Sequence, residues 1–281
     1  MPDSSKKKKP ESDELSDFYE GVDEDGRLFE GYGPLEWART LDILERYLPP
    51  PPSVVYDVGG GSGVYALWLA RKGYEVHLVE PVGKHIRQAR LASRGQPDHP
   101  LASIIQGDAR KLDRTEDSVD AVLLMGPLYH LTDRKDRIAA LTEASRVTRK
   151  GRRIFAAVIS RFASLLDGIF QCFLDDPAFA AIVEQDLIDG QHRNPTTNPA
   201  YFTSAFFHHP EDIKAEVHDS GLILEHLLPV ESVGGLIPHF EEYWADRNRR
   251  TNLLKFLRLV ETEPSFLGVS AHLLAVAKKK E

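Results

Sequence analysis

The 281-residue chain has almost no cysteine: Cys172 stands alone, so no internal disulfide can form and no second thiolate is present to complete a metal site. A reducing, cytoplasmic compartment is the expectation. Long apolar runs are also missing, and the opening MPDSSKKKKPESDE lacks the apolar centre of a secretory signal, so no membrane association is expected. Nor is positive charge in excess. The 35 Lys and Arg face 43 Asp and Glu, a formal charge of -8, which disfavours a surface built to neutralise nucleic-acid phosphates. The 11 histidines show no HExxH or comparable spacing, so no metal is expected, and no internal repeat of fixed period is present.

What is there reads as a folded protein. Hydrophobic residues make up 42% and charged residues 28%, the ordinary balance of a chain with a packed core. Residues 1–16, with Lys6 to Lys9, read as a solvated tail. Residues 17–52 read as a helical segment, because Leu35, Ala38, Leu41, Leu44 and Leu48 recur at helical spacing before the run Pro49 to Pro52 stops them. From Ser53 apolar strands alternate with amphipathic helices: SVVYDV, YEVHLVE, ASIIQ, SVDAVLLM and RRIFAAVIS, with helices after Ser62, Gly83 and Asp133. Such alternation implies a parallel sheet flanked by helices. The rhythm breaks over about 161–210, which reads as a helical cap inserted in a domain spanning 53–281. A helix from Pro210 and two more strands, LILEHLLPVE and GVSAHLLAVA, follow around a mostly helical stretch from Ile237 to Glu261.

The sharpest motif is VVYDVGGGSGVYALWLA, a strand running through a glycine turn into a helix. Gly59, Gly61 and Gly63 allow a tight turn and let ligand approach the backbone, with Asp57 just before them. Gly61, Gly63 and Ala66 also satisfy a dinucleotide fingerprint, so a nicotinamide-dependent oxidoreductase is a rival reading. Asp57 weighs against it, since a carboxylate there would repel a pyrophosphate and suits a ligand ammonium, which S-adenosylmethionine carries. Glu80, ending the second strand, is placed to accept from ribose hydroxyls, and Asp108 after the third strand to accept from an adenine amino group beside the small Ala109.

These motifs resemble the class I S-adenosylmethionine-dependent methyltransferases, especially the small-molecule branch related to ubiquinone and menaquinone biosynthesis. The resemblance covers about residues 54–160 and rests on YDVGGGSGVYA, HLVEP, GDARKL, DSVDAVLLMGPLYHL and ALTEASRVTRKGRRIFAAV. It implies a Rossmann-like α/β fold with a seven-stranded, mostly parallel sheet ending in an antiparallel hairpin. It implies S-adenosylmethionine as cofactor, with Asp57, Gly59, Gly61 and Gly63 at the methionine moiety, Glu80 at the ribose and Asp108 with Ala109 at the adenine. Met125 and Gly126 would line the cofactor, and the N-terminal segment with Tyr19, Arg27, Tyr32 and Arg39 would fold over it.

Methyl transfer chiefly demands alignment, with a base only for acceptors that must lose a proton. His130 is the candidate base or substrate contact, with Tyr129 beside it. Tyr201, Phe202 and His208, in the aromatic stretch of the cap, are the other candidate pocket residues. The expected partner is a small-molecule acceptor methylated on oxygen or nitrogen, with the chain a monomer or homodimer. A non-catalytic S-adenosylmethionine-binding protein is the third reading. Asn198-Pro199-Ala200-Tyr201 lies in the cap and reads as a turn.

Overall fold

A computed structural model describes residues 18–21, 24–196 and 198–281; the expected tail at 1–16 lies outside them. Seven strands form one sheet in the order β3-β2-β1-β4-β5-β9-β8. They are β1 (Val54–Val58), β2 (Glu75–Glu80), β3 (Ser103–Gln106), β4 (Val119–Leu124), β5 (Thr148–Ile159), β8 (Ile223–Pro229) and β9 (His272–Lys278). The first five pair in parallel, while β9 runs antiparallel between β5 and β8. The expected seven-stranded, mostly parallel sheet with a closing antiparallel hairpin is present.

Strand alternation sorts side chains to two buried faces. Tyr56, Val58, Val122, Leu124, Ile154 and Ala156 meet Leu141, Ile213 and Val217 on one side. Val55, Ala121, Leu123, Phe155 and Leu274 meet Ile43, Leu44, Ala66 and Leu69 on the other. Because both faces are covered, β4 reads VDAVLL with every residue buried, as central parallel strands do.

The chain leaves β1 toward β2 and β3, then returns to β4 on the opposite side of β1. Helices after β1 and after β4 therefore diverge, and a crevice opens at the strands' carboxyl ends, where ligands bind in open α/β sheets. The helices start where expected: Val64–Arg71 after Gly63 in the left-handed region, Gly83–Arg94, and Arg134–Val147 capped by Asp133. Glu24–Arg27 and Gly33–Tyr47 pass over the same crevice before β1. The stretch after β8 is helical but splits into Phe240–Ala245 and Arg247–Val260 at Asp246, whose side chain caps the second helix.

Segment 161–210 holds the helices Ala163–Phe170 and Pro177–Asp189 and a two-stranded ribbon, β6 (Gln191–His192) with β7 (Ala205–Phe206). It packs an apolar cluster of its own, Phe179, Ile182, Val183 and Tyr201. Asn198-Pro199-Ala200-Tyr201 is a turn of 3-10 helix capped by Asn198, as its sequence implied. Among the described residues no helix is long and apolar enough to cross a membrane.

Candidate active site

One large cavity lies along the carboxyl edge. It encloses about 1480 Å³ of atom-free space including its solvent mouth. Its walls run from Asp108 and Ala109 after β3, past Glu80 of β2 and the turn after β1, to Met125 and Gly126 after β4, Ala157 of β5 and His272 of β9. At ~4.8 Å per strand, this spread of five inter-strand steps is ~24 Å, long enough for two ligands end to end.

The glycine turn is shaped by close approaches. Gly59 and Gly61 have φ of 67° and 59°, in the left-handed region that glycine adopts without strain. A Cβ at Gly59 would lie 2.8 Å from Pro127, and one at Gly126 would lie 2.9 Å from the Gly59 carbonyl, so only glycine lets these loops meet over the cavity floor. Glu80 ties the turn to β2. Its Oε2 accepts from the Gly61 amide at 3.0 Å, and its Oε1 accepts from the Val82 amide at 3.0 Å and faces His85 Nδ1 at 3.2 Å. The carboxylate is thus held rigidly at the cavity wall.

Asp108 also lines the cavity, and Arg110 binds it through the side chain, with Arg110 reaching Asp136 at 2.7 Å. Those hydrogen bonds hold the Asp108 carboxyl below its ordinary range, against the opposing effect of burial. Tyr19, Gly59, Gly61, Glu80, Asp108, Ala109, Met125, Gly126, Tyr129 and His130 all line the one cavity.

Asp57 is a correction. It is fully buried beneath the turn and absent from the cavity wall; a Cβ at Gly60 would collide with its carboxylate. Neither oxygen has a hydrogen-bond partner of good geometry. Burial first, and Glu80 second, push its pKa up to about 7, with only the Ala66 amide opposing. Its effect on a ligand therefore passes through the turn. Gly63 is likewise behind the wall: its φ of 89° starts the helix Val64–Arg71, facing Leu78, Ala89 and Leu101.

Three expected pocket residues are absent from the cavity wall, each packed elsewhere. Tyr201 sits in the cap cluster with its hydroxyl donating to Asp176 at 2.8 Å. His208 is buried beside Glu216 at 3.2 Å, which also takes the Arg137 guanidinium, itself stacked 3.6 Å from the Phe206 ring centre. Phe202 is not on the cavity wall but packs against His130 and Tyr129 from behind, with centroids 5.8 and 6.4 Å away. Of the other N-terminal residues, Arg27 lines the cavity, Tyr32 donates to the Ile237 carbonyl, and Arg39 is buried on Glu261.

His130 shares a 2.8 Å hydrogen bond with the Tyr19 hydroxyl through Nε2, and its Nδ1 is buried without a partner. Burial, reinforced by His85, lowers its pKa to about 3, so the ring is neutral across physiological pH. As a proton acceptor it is weak.

Sequence reasoning missed a second polar group at the far end, assembled from distant segments. Arg27 pairs with Glu36 through contacts of 2.6 and 3.1 Å, and His272 Nδ1 donates to Glu231 at 2.6 Å and lies 3.8 Å from Glu36. Burial raises the Glu36 pKa, but Arg27 and His272 outweigh it and bring it to about 2. Ligand atoms of Glu36, Glu231 and His272 lie within 4.8 Å of one another, a spacing that would suit a cation. Arg27 and the His272 imidazolium already balance the two carboxylates. No local motif announces this group, since Arg27, Glu36, Glu231 and His272 lie in four separate stretches of chain.

Residues 55–151 match the family model described as a methyltransferase domain. A ubiquinone biosynthesis O-methyltransferase of Xylella fastidiosa is 32% identical over 129 residues, 43% of this chain and 48% of that protein. The match thus spans about half of that relative's length. Among solved structures, an S-adenosylmethionine-dependent methyltransferase of Methanosarcina mazei superposes with a TM-score of 0.58 at 17% identity, covering 85% of this chain and 97% of that one. The magnesium protoporphyrin IX methyltransferase of Synechocystis PCC 6803, solved with bound S-adenosylmethionine, gives 0.58 at 11% identity, covering 98% of this chain and 100% of that one. The match over 55–151 is to a methyltransferase domain, and the fold is similar to that of solved S-adenosylmethionine-dependent methyltransferases.

Proposed function

We propose that the chain transfers the methyl group of S-adenosylmethionine to an oxygen or nitrogen of a small-molecule acceptor. One observation carries the reading: a single cavity joins a rigid carboxylate, Glu80, beside a glycine turn to a separate, charge-balanced polar group about four strands away. The first end fits an adenosyl amino acid. Glu80 is the candidate ribose ligand, Asp108 with Ala109 the adenine site, and Gly59, Gly61, Met125 and Gly126 the surface under the amino-acid chain. When bound, S-adenosylmethionine would supply an electrophilic methyl group.

This chain's residues then have to orient the acceptor and exclude water. Tyr19, Tyr129 and His130 form the wall between the two ends, with His130, neutral and hydrogen-bonded, as an orienting contact. The N-terminal segment and the cap are the candidate covers, since Tyr19 and Leu28 reach the cavity and Phe202 backs its wall. The acceptor half has walls of Met125, Ala157, Val230 and Leu274, which suit a partly apolar molecule.

A thermal-shift comparison of S-adenosylhomocysteine with NADH tests the reading. Stabilisation by S-adenosylhomocysteine alone is expected; stabilisation by NADH alone would favour an oxidoreductase. Binding without product from any acceptor library would favour a non-catalytic role.

A further inference from the structure

His272 opens β9 at the carboxyl edge opposite Ile159 of β5, and it lines the acceptor half of the cavity. Its Nδ1 donates to Glu231 Oε1 at 2.6 Å, while Glu231 Oε2 accepts from the His272 amide and the Ser270 hydroxyl, each at 2.9 Å. A second carboxylate, Glu36, lies 3.8 Å from the same ring nitrogen. Burial pulls the His272 pKa down, but Glu36 and Glu231 outweigh it and raise it to about 9, with Arg27 opposing them. The ring is thus an imidazolium at neutral pH, and both of its nitrogens carry hydrogen. One N–H is committed to Glu231. The other, on Nε2, has no partner among the described residues, and the side chain keeps 23% exposure at the cavity wall.

The surroundings select what this donor can meet. Arg27 and the imidazolium balance Glu36 and Glu231, so a carboxylate on the ligand would stand beside two others without a counter-charge of its own. Asp167, in the helix Ala163–Phe170 and outside the wall, interacts with both His272 and Glu231 and adds to that penalty. A hydroxyl would bring a proton of its own, and at this end of the wall both Glu36 oxygens are already taken by Arg27. A neutral carbonyl oxygen accepts and brings neither charge nor proton. The neighbouring Ala157, Val230 and Leu274 suit an apolar body around it.

We infer that His272, held by Glu231, donates from Nε2 to a neutral carbonyl oxygen of the methyl acceptor, which makes the acceptor a carbonyl-bearing, partly apolar molecule. The inference rests on the methyltransferase reading above. In the sheet β9 stands two steps from β4, ~10 Å at the usual spacing, and Met125 and Gly126 of the cofactor end follow β4. The carbonyl and the atom that receives the methyl therefore lie at opposite ends of a ring-sized molecule. His272 fixes which molecule is held and in which direction, and it takes no proton.

The test uses acetophenone and ethylbenzene, one ring with a carbonyl and one without, added to the full chain at neutral pH with and without S-adenosylhomocysteine. Infrared difference spectra of acetophenone with ordinary and with heavy carbon at the carbonyl cancel the protein's own bands. In wild type the bound C=O stretch should lie below its frequency in water, because an imidazolium donates more strongly than water does. His272→Leu should raise the stretch above the water value and weaken acetophenone binding about 10- to 100-fold, while ethylbenzene affinity changes less than ~threefold. His272→Gln, which keeps a neutral N–H near the Nε2 position, should fall between the two proteins in both readouts. No binding of acetophenone by wild type, a stretch at or above the water value, or an equal loss of both probes in His272→Leu overturns the inference. Failure of wild type to bind S-adenosylhomocysteine while the lowered stretch persists overturns the methyltransferase reading and leaves the carbonyl contact standing.

Discussion

The two ends of the cavity are made from different kinds of chain. Over β1, β2 and β3 the wall consists of residues at or just past a strand end, Gly59, Glu80, Asp108 and Ala109. Beyond β4 it is gathered from remote segments: Arg27 and Glu36 before the sheet, His130 after β4, and Val230 and His272 from the closing hairpin. A strand-end site is dictated by the local rhythm of strand, turn and helix. A hairpin-built site depends on which strands finally pair.

The largest effect should come from the buried charge cluster between the helices Arg134–Val147 and Pro210–Asp219. Arg137→Ala leaves Glu216 and His208 buried without the guanidinium, and should lower the unfolding free energy by about 3–5 kcal/mol. Urea denaturation measures it; a loss below ~1 kcal/mol would mean that the fold does not depend on the cluster.

Asp57→Asn probes the near end. The folded-state pKa of about 7 lies above the ordinary carboxyl value, so the folded state holds the proton longer. Stability is then full below about pH 4 and declines as pH rises toward 7, by up to about 4 kcal/mol. The Asn variant should lose this slope and be the more stable protein at pH 8. Because Asp57 lies behind the wall, S-adenosylhomocysteine affinity should change less than ~fivefold; a hundredfold loss would return Asp57 to direct ligand contact.

His272 gives the opposite sign. Its folded-state pKa of about 9 lies above the ordinary 6.5, so its stabilisation is complete below about pH 6.5 and is lost as pH rises through about 9. His272→Gln should cost about 3 kcal/mol at pH 6 and little at pH 10, as read from melting curves at both. A pH-independent cost would mean that packing alone is responsible. The smallest effect belongs to Tyr19→Phe, which strips the His130 ring of its one hydrogen bond and should cost about 1 kcal/mol.

The contrast explains what was legible in the sequence. The strands, the helix starts at Val64, Gly83 and Arg134, and the glycine turn follow from period-2 and period-3.6 patterns with Gly and Asp as punctuation. Glu80 and Asp108 were found because a strand's last residue marks the sheet edge. Asp57 is misleading at this level: being one residue earlier on β1 than Val58 puts it under the turn, a consequence of pleat that motif spacing does not carry. Tyr201 and His208 sit in an aromatic-rich stretch, but Tyr201 packs in a cluster of that stretch's own rings and His208 is taken by Glu216 of the following helix. Glu36, Glu231 and His272 had no visible signal, since only the antiparallel insertion of β9 beside β5 brings His272 to the carboxyl edge.

The most direct test of the near end is calorimetric titration of S-adenosylhomocysteine into wild type and Glu80→Ala side by side. Glu80 holds the Gly61 and Val82 amides and is the candidate ribose ligand, so wild type should bind one equivalent and the variant should bind about 30- to 100-fold more weakly. Equal affinity in the two proteins, or no binding by wild type, would contradict the assignment of this end of the cavity to an adenosyl amino acid.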